Sequence, residues 1–166
     1  VKNEGFNADV INSLDASTDE MMDLMGNPNS SMDFSRCGLV IGDVQSGKTS
    51  TYSGLICKAA DAGIQVVILM AGLTENLRQQ TQERIEEDIV GLTIRTDNFH
   101  NNKPTNVGVG TLPGWENRVT TYTLYEDDFS KSRAKSMSAI GTHKSIVLFV
   151  VKKNVPVLTH LLDWLT

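Results

Sequence analysis

Gly42-Asp43-Val44-Gln45-Ser46-Gly47-Lys48-Thr49 is a complete Gly-x-x-x-x-Gly-Lys-Thr run, a pattern suited to holding a chain of phosphates. Phosphate oxygens need several N–H donors at close range. Gly42 and Gly47 allow the tight, side-chain-free curvature that turns the backbone N–H groups of Asp43 to Thr49 inward. The helix expected next, with Ser50 in its first turn, offers its positive dipole end to the same anion. Lys48 would reach the β- and γ-phosphates as a point charge, and the Thr49 hydroxyl would take one position on magnesium. Gly42, Asp43, Val44, Gln45, Ser46, Gly47, Lys48, Thr49 and Ser50 are thus the expected nucleotide-binding residues. Lys48 and Thr49 carry the catalytic and metal roles, with ATP or another nucleoside triphosphate and Mg2+ as cofactors. A chance match in a chain this long is on the order of one per cent. Asp43 is the uneasy member, because a carboxylate near phosphate repels it, so its side chain is expected to point away.

Such a run binds phosphate only between a strand and a helix. Cys37-Gly38-Leu39-Val40-Ile41 is a short apolar run that predicts a buried strand. Tyr52, Leu55, Ile56, Ala59 and Ala60 share one helical face, and Gly63 stands where a left-handed cap would end that helix. Val66 to Met70 reads as a parallel strand covered on both faces. Thr74 is a candidate cap for a helix from Glu75 to about Val90, bearing Leu77, Ile85 and Ile89. Ile146 to Val151 reads as the most buried strand, and Asn154 as the cap of a helix carrying Val157, Leu158, Leu161, Leu162 and Leu165. Strand, loop, helix, strand and helix in this order predict a three-layer α/β fold, a parallel sheet with helices on both faces.

Residues 1–35 read as a helical approach of two short helices. The first is capped by Asn7, and the second by the capping box Ser17-Thr18-Asp19-Glu20. Residues 36–166 then form the phosphate-loop lobe. It is interrupted at about 93–145 by a loop-rich insertion with strand-like pieces around Val107 to Val109 and Val119 to Leu124. A mobile segment is expected near Ser130 to Thr142.

The 166 residues allow one domain with a real core. A net charge of −5 argues against a dedicated nucleic-acid module but permits one basic face. No apolar stretch approaches a membrane span, and Val1-Lys2-Asn3-Glu4 offers no signal core, so a cytoplasmic protein without membrane partners is expected. Cys37 and Cys57 lack metal-ligand spacing and read as small buried apolar residues. Glu126-Asp127-Asp128, with Lys131 nearby, is a tight acidic cluster, better read as a solvated loop than as a nuclease centre. His100, His143 and His160 are isolated.

Two further places gather polar groups. Thr74, Asn76, Arg78, Gln79, Gln80 and Gln82 concentrate donors after the second strand, as contact with a nucleic-acid backbone requires. A solvated helix face explains the same residues. Lys152 and Lys153 end the strand at Val151, either as phosphate contacts or as solubilising charges. Phe34 and Arg36 could approach an adenine ring or simply pack on a sheet edge.

The run from Gly38 to Thr49 resembles the opening of the Z-one domain family, whose members carry an endonuclease designation. So does Gly54-Leu55-Ile56-Cys57-Lys58-Ala59-Ala60-Asp61-Ala62-Gly63. Asn76 to Arg84 matches the same family, as do Val150-Val151-Lys152-Lys153-Asn154, Val157-Leu158 and Trp164-Leu165. That family is similar to superfamily-two helicases and is bacterial or phage-related, often encoded beside methyltransferases and restriction or repair functions. The resemblance implies a RecA-like P-loop fold and ATP-driven work on DNA, with the loop after the second strand on the DNA backbone. It also implies an acidic magnesium-ordering motif and a second RecA-like lobe carrying an arginine to the γ-phosphate. Neither falls within these residues, so the expectation is an N-terminal fragment that binds nucleotide and hydrolyses it poorly alone. A chain opening on valine fits a trimmed sequence. The alternatives are a small P-loop kinase, with Arg118 or Arg133 as lid arginine, and a non-catalytic nucleotide-binding module.

Overall fold

A computed structural model describes residues 7–42, 47–91, 108–116, 118–130, 132, 135 and 145–166. The chain forms two compact units, Val1–Ile64 and Gln65–Thr166.

In the first unit the approach is one helix, α1 (Ala8–Leu24), instead of two. Asn7 caps it as expected, its Oδ1 accepting the Asp9 N–H. Ser17 and Thr18 do not begin a second helix. Their hydroxyls donate back to the carbonyls of Leu14 and Asp15, and Thr18 is buried with its methyl beside Gly54. A threonine that finds a helix partner and an i−4 carbonyl has no reason to interrupt its own helix. Helix α2 (Lys48–Asp61) begins at Gly47 and ends in a Schellman motif: Ile64 N–H donates to Ala59 O and Gly63 N–H to Ala60 O, with Gly63 at φ 87°.

The strand expected over Cys37 to Ile41 does not form. That segment has no regular secondary structure and no ladder partner among the described residues, with Leu39, Val40 and Ile41 exposed by 83%, 55% and 87%. An apolar run becomes a strand only when a neighbour completes its ladder. Cys37 is likewise exposed and Cys57 half-buried, not buried as expected.

The second unit is mixed α/β, a small parallel three-stranded sheet flanked by helices. Strands β1 (Val66–Met70), β2 (Val119–Thr121) and β3 (Ile146–Val151) lie in the order β1-β3-β2. Val66 pairs with Val147 through to Met70 with Val151, and Val119 with Ile146 through to Thr121 with Leu148. Central β3 is buried at all six positions, as its unbroken apolar run demands. Edge strand β1 is not covered on both faces, since Ile68 and Met70 are exposed.

On one face of β3, Val147, Phe149 and Val151 meet Tyr122, Phe129 and, from α4 (Val155–Leu165), Leu161 and Trp164. The Trp164 ring stands edge-on to those of Phe149, Phe129 and Tyr122 at 5.6–6.0 Å. Asn154 caps α4, accepting the Val157 N–H, whereas Leu162 and Leu165 remain exposed. Helix α3 (Glu75–Ile85) is capped by Thr74 and runs into a π turn (Glu86–Val90) that stops at Gly91, φ 84°. Its buried stripe is Arg78, Gln82, Ile85 and Ile89, while Leu77 faces solvent. Among its described residues the insertion contributes β2 and a 3₁₀ turn, Val109–Thr111; of the strand-like piece expected over Val107 to Val109, Val107 lies outside the described residues. There the backbone of Gly108 passes so close to the π turn that a Cβ would lie 2.1 Å from Glu87 O.

Candidate functional site

Gly47 stands at φ 77°, ψ 20°, a left-handed conformation that glycine adopts without a Cβ penalty, and it heads α2 with no side-chain cap. Lys48, the first helical residue, turns back so that its Nζ donates to Gly42 O at 2.6 Å. That bond ties together the two glycine ends of the loop. Lys48 is exposed, and Thr49 and Ser50 are half-buried in the first turn. Thr51 N–H and Oγ1 both donate to Gly47 O, fixing the turn beneath them. Asp43, Val44, Gln45 and Ser46 lie outside the described residues.

Helix α1 runs beside α2 in the same direction. Lys58 Nζ bridges Asp15 Oδ1 at 2.7 Å and Asp19 Oδ1 at 2.5 Å, and also donates to Asp15 O. Closer to the N-termini, a cleft of about 360 Å³ separates Val10, Ser13 and Leu14 from Gly47, Ser50 and Thr51. Two positive helix ends therefore lie side by side, an arrangement that an anion stabilises. Sequence reasoning did not assign α1 to this place. The signal was available in the one-face spacing of Val10, Ser13, Leu14 and Ser17.

The donors after β1 divide sharply. Arg78 is fully buried, and its guanidinium donates to Leu124 O at 2.8 Å, Tyr125 O at 2.5 Å and Glu75 Oε1 at 2.6 Å. Gln82 is also fully buried, bonded to Thr123 and Glu86. Neither side chain is exposed, although Arg78 was expected among the donors to a nucleic-acid backbone. The reason is that carbonyls distant in sequence need a forked donor here. Thr74, Asn76 and Gln80 are exposed, and Gln79 is half-buried.

Lys152 is held by Glu75 Oε2 at 2.6 Å and lies 3.7 Å from Asp128 Oδ2; the Glu75 bond foremost raises its pKa. Desolvation pushes the Glu75 carboxyl up, but hydrogen bonds and charge from Arg78 and Lys152 outweigh it, leaving the carboxyl below its ordinary range. Lys153 is exposed. Asp128 belongs to this network, accepting the Phe129 and Lys152 N–H groups, rather than to an acidic metal centre. No group of three metal-ligating side chains occurs among the described residues. Arg118 stacks on Trp115 and donates to Gly114 O, while Lys131, Arg133, His100 and His143 lie outside the described residues. Among the described residues no helix is long and apolar enough to cross a membrane.

No protein-family model, curated protein or solved structure matches this chain.

Proposed function

We propose that this chain is the nucleotide-binding lobe of an ATP-dependent DNA-processing enzyme of helicase or translocase type. On this reading the parallel sheet belongs to a RecA-like P-loop fold. The observation that carries the proposal is the closed glycine frame: Gly47 left-handed at the head of α2, and Lys48 folded back onto Gly42 O. A loop so framed, opening on an uncapped helix N-terminus, fits a polyphosphate. Backbone N–H groups from Asp43 to Ser50 would bind phosphate oxygens, Lys48 would exchange the Gly42 carbonyl for phosphate, and Thr49 would hold magnesium. Bound magnesium supplies charge neutralisation on the phosphates. The reading requires an acidic motif and a second lobe outside these 166 residues, and DNA as partner of the full-length protein.

The test is thermal denaturation with and without magnesium-ATP, for the parent and Lys48→Ala. Ligand at 100 times its dissociation constant stabilises a fold by about 2.7 kcal/mol. A shift present in the parent and lost in Lys48→Ala supports the proposal, and no shift in the parent refutes it.

A non-catalytic nucleotide-binding module is the second reading. It is favoured by the burial of Arg78 and the capture of Lys152 by Glu75, which leave Lys153 with the neutral donors Thr74, Asn76 and Gln80 for DNA. DNA-stimulated ATP turnover by the full-length protein would decide against it.

A further inference from the structure

The cleft beside Gly47 has a divided wall. On α1, Asp9 and Ser13 stand one turn apart, and Val10 and Leu14 form the adjacent stripe. One stripe is polar and acidic, the other apolar. Opposite them, Gly47 and Ser50 belong to the turn that the phosphate loop feeds. The volume of about 360 Å³ falls within the range of small-molecule sites. One turn along α2 from Ser50, the Ser53 hydroxyl is buried and has no hydrogen-bond partner among the described residues.

The charge pattern decides which end of a nucleotide belongs here. A carboxylate beside phosphate repels it, so Asp9 cannot be part of the phosphate site. A carboxylate only accepts hydrogen bonds, and ribose presents two neighbouring hydroxyls that donate them. A nucleobase presents an apolar face of the kind that Val10 and Leu14 can cover. We infer that this cleft receives the ribonucleoside end of the nucleotide, with Asp9 on the ribose hydroxyls and Val10 and Leu14 against the base. The inference rests on the phosphate-binding reading of the loop and assigns α1 as the element that distinguishes ATP from bare polyphosphate and from dATP.

The experiment is calorimetric titration of the whole chain, with magnesium present, by three probes: inorganic tripolyphosphate, ATP and dATP. The parent should bind ATP more tightly than dATP and dATP more tightly than tripolyphosphate. Asp9→Ala should weaken ATP about tenfold, the size of one lost charge-assisted hydrogen bond, and leave tripolyphosphate unchanged. Ser13→Trp, which fills the cleft from an exposed helix position, should bring both nucleotides down to the affinity of tripolyphosphate. Lys48→Ala should weaken all three probes. Equal binding of ATP and tripolyphosphate by the parent, or ATP affinity unmoved by Asp9→Ala and Ser13→Trp, overturns the cleft assignment and leaves the phosphate loop standing. If the parent binds none of the probes, the loop reading fails and the cleft assignment with it.

Discussion

Thr123 stands in for a strand where β2 has already ended: its Oγ1 accepts the Val150 N–H at 2.9 Å, beyond the last β2–β3 pair of Thr121 with Leu148. The same hydroxyl donates to Gln82 Oε1 at 2.8 Å, and Gln82 Nε2 donates to Thr123 O and Glu86 Oε1. A continuous hydrogen-bonded path thus joins the central strand to the π turn, through two residues with no solvent exposure. Thr123→Val keeps the shape but strands the Val150 N–H and the Gln82 Oε1 in a dry interior. Leaving two buried groups unpaired should cost about 2–4 kcal/mol. Thr123→Ser keeps the hydroxyl and loses one methyl, about 1 kcal/mol. Urea denaturation of both variants measures the difference, and equal losses would show that the hydroxyl network is not what holds β3.

Arg78 fastens α3 to the Leu124–Tyr125 segment. No single-point ammonium can reproduce its fork across Leu124 O, Tyr125 O and Glu75. Arg78→Lys should therefore be nearly as harmful as Arg78→Met, each losing about 2–4 kcal/mol in chemical denaturation. A DNA-backbone role would give the opposite pattern, with Arg78→Lys close to the parent in stability.

Glu86 gives the second unit a pH dependence of defined sign. Burial raises its carboxyl above the ordinary 4.5, with the Gln82 hydrogen bond and the Arg78 charge only partly opposing it. The folded state then holds the proton more tightly than the unfolded state. Stability falls as pH rises from 4.5 through the raised value. Asp88, raised chiefly by burial, acts in the same direction. Glu75 acts oppositely: its carboxyl is lowered, so its contribution is present above 4.5 and lost as pH falls further. Glu86→Gln keeps an acceptor for Gln82 Nε2 and removes the charge. It should exceed the parent in stability at pH 7 and match it near pH 4, measured by urea midpoints at both values. A parent more stable at pH 7 would reverse the sign of this argument.

What could be read from sequence was whatever depends on neighbours within a turn or two. The caps Asn7, Thr74 and Asn154, the left-handed Gly63 and the solid apolar run of β3 depend on local geometry or on burial so complete that no polar position interrupts it. The failures have a common cause in partners far along the chain. Arg78 and Gln82 looked like a solvated face because the groups that bury them, Thr123, Leu124 and Tyr125, are more than forty residues away. Leu77 was placed in the core by helical spacing, although Arg78 and Gln82 complete the buried stripe with Ile85 and Ile89. The apolar pattern cannot reveal that arrangement when two of the four members are polar. Cys37 to Ile41 has the composition of a strand, yet a strand is a relation between two segments. At the candidate site the glycine frame was legible, and the flanking α1 was obscured by a capping box that lies inside a continuous helix.

Gly47 and Lys48 are adjacent, and their substitutions should separate folding from binding. Among the described residues a Cβ at Gly47 would meet no atom within 4 Å, so the effect expected of Gly47→Ala is backbone strain. A left-handed alanine costs about 1–2 kcal/mol, and asparagine, which tolerates that region, should recover much of it. Lys48 is exposed, and its Nζ bond to Gly42 O lies at the surface. Lys48→Ala should change the free energy of unfolding by no more than about 0.5 kcal/mol. Nucleotide binding should respond in the reverse order. Lys48→Ala removes the charge that meets phosphate and should abolish the magnesium-ATP stabilisation, whereas Gly47→Asn should retain part of it by preserving the turn. Unfolding curves for the parent and three variants, each with and without magnesium-ATP, test both orders together. Loss of intrinsic stability in Lys48→Ala comparable to that in Gly47→Ala would mean that the lysine serves to close the loop rather than to wait for a ligand.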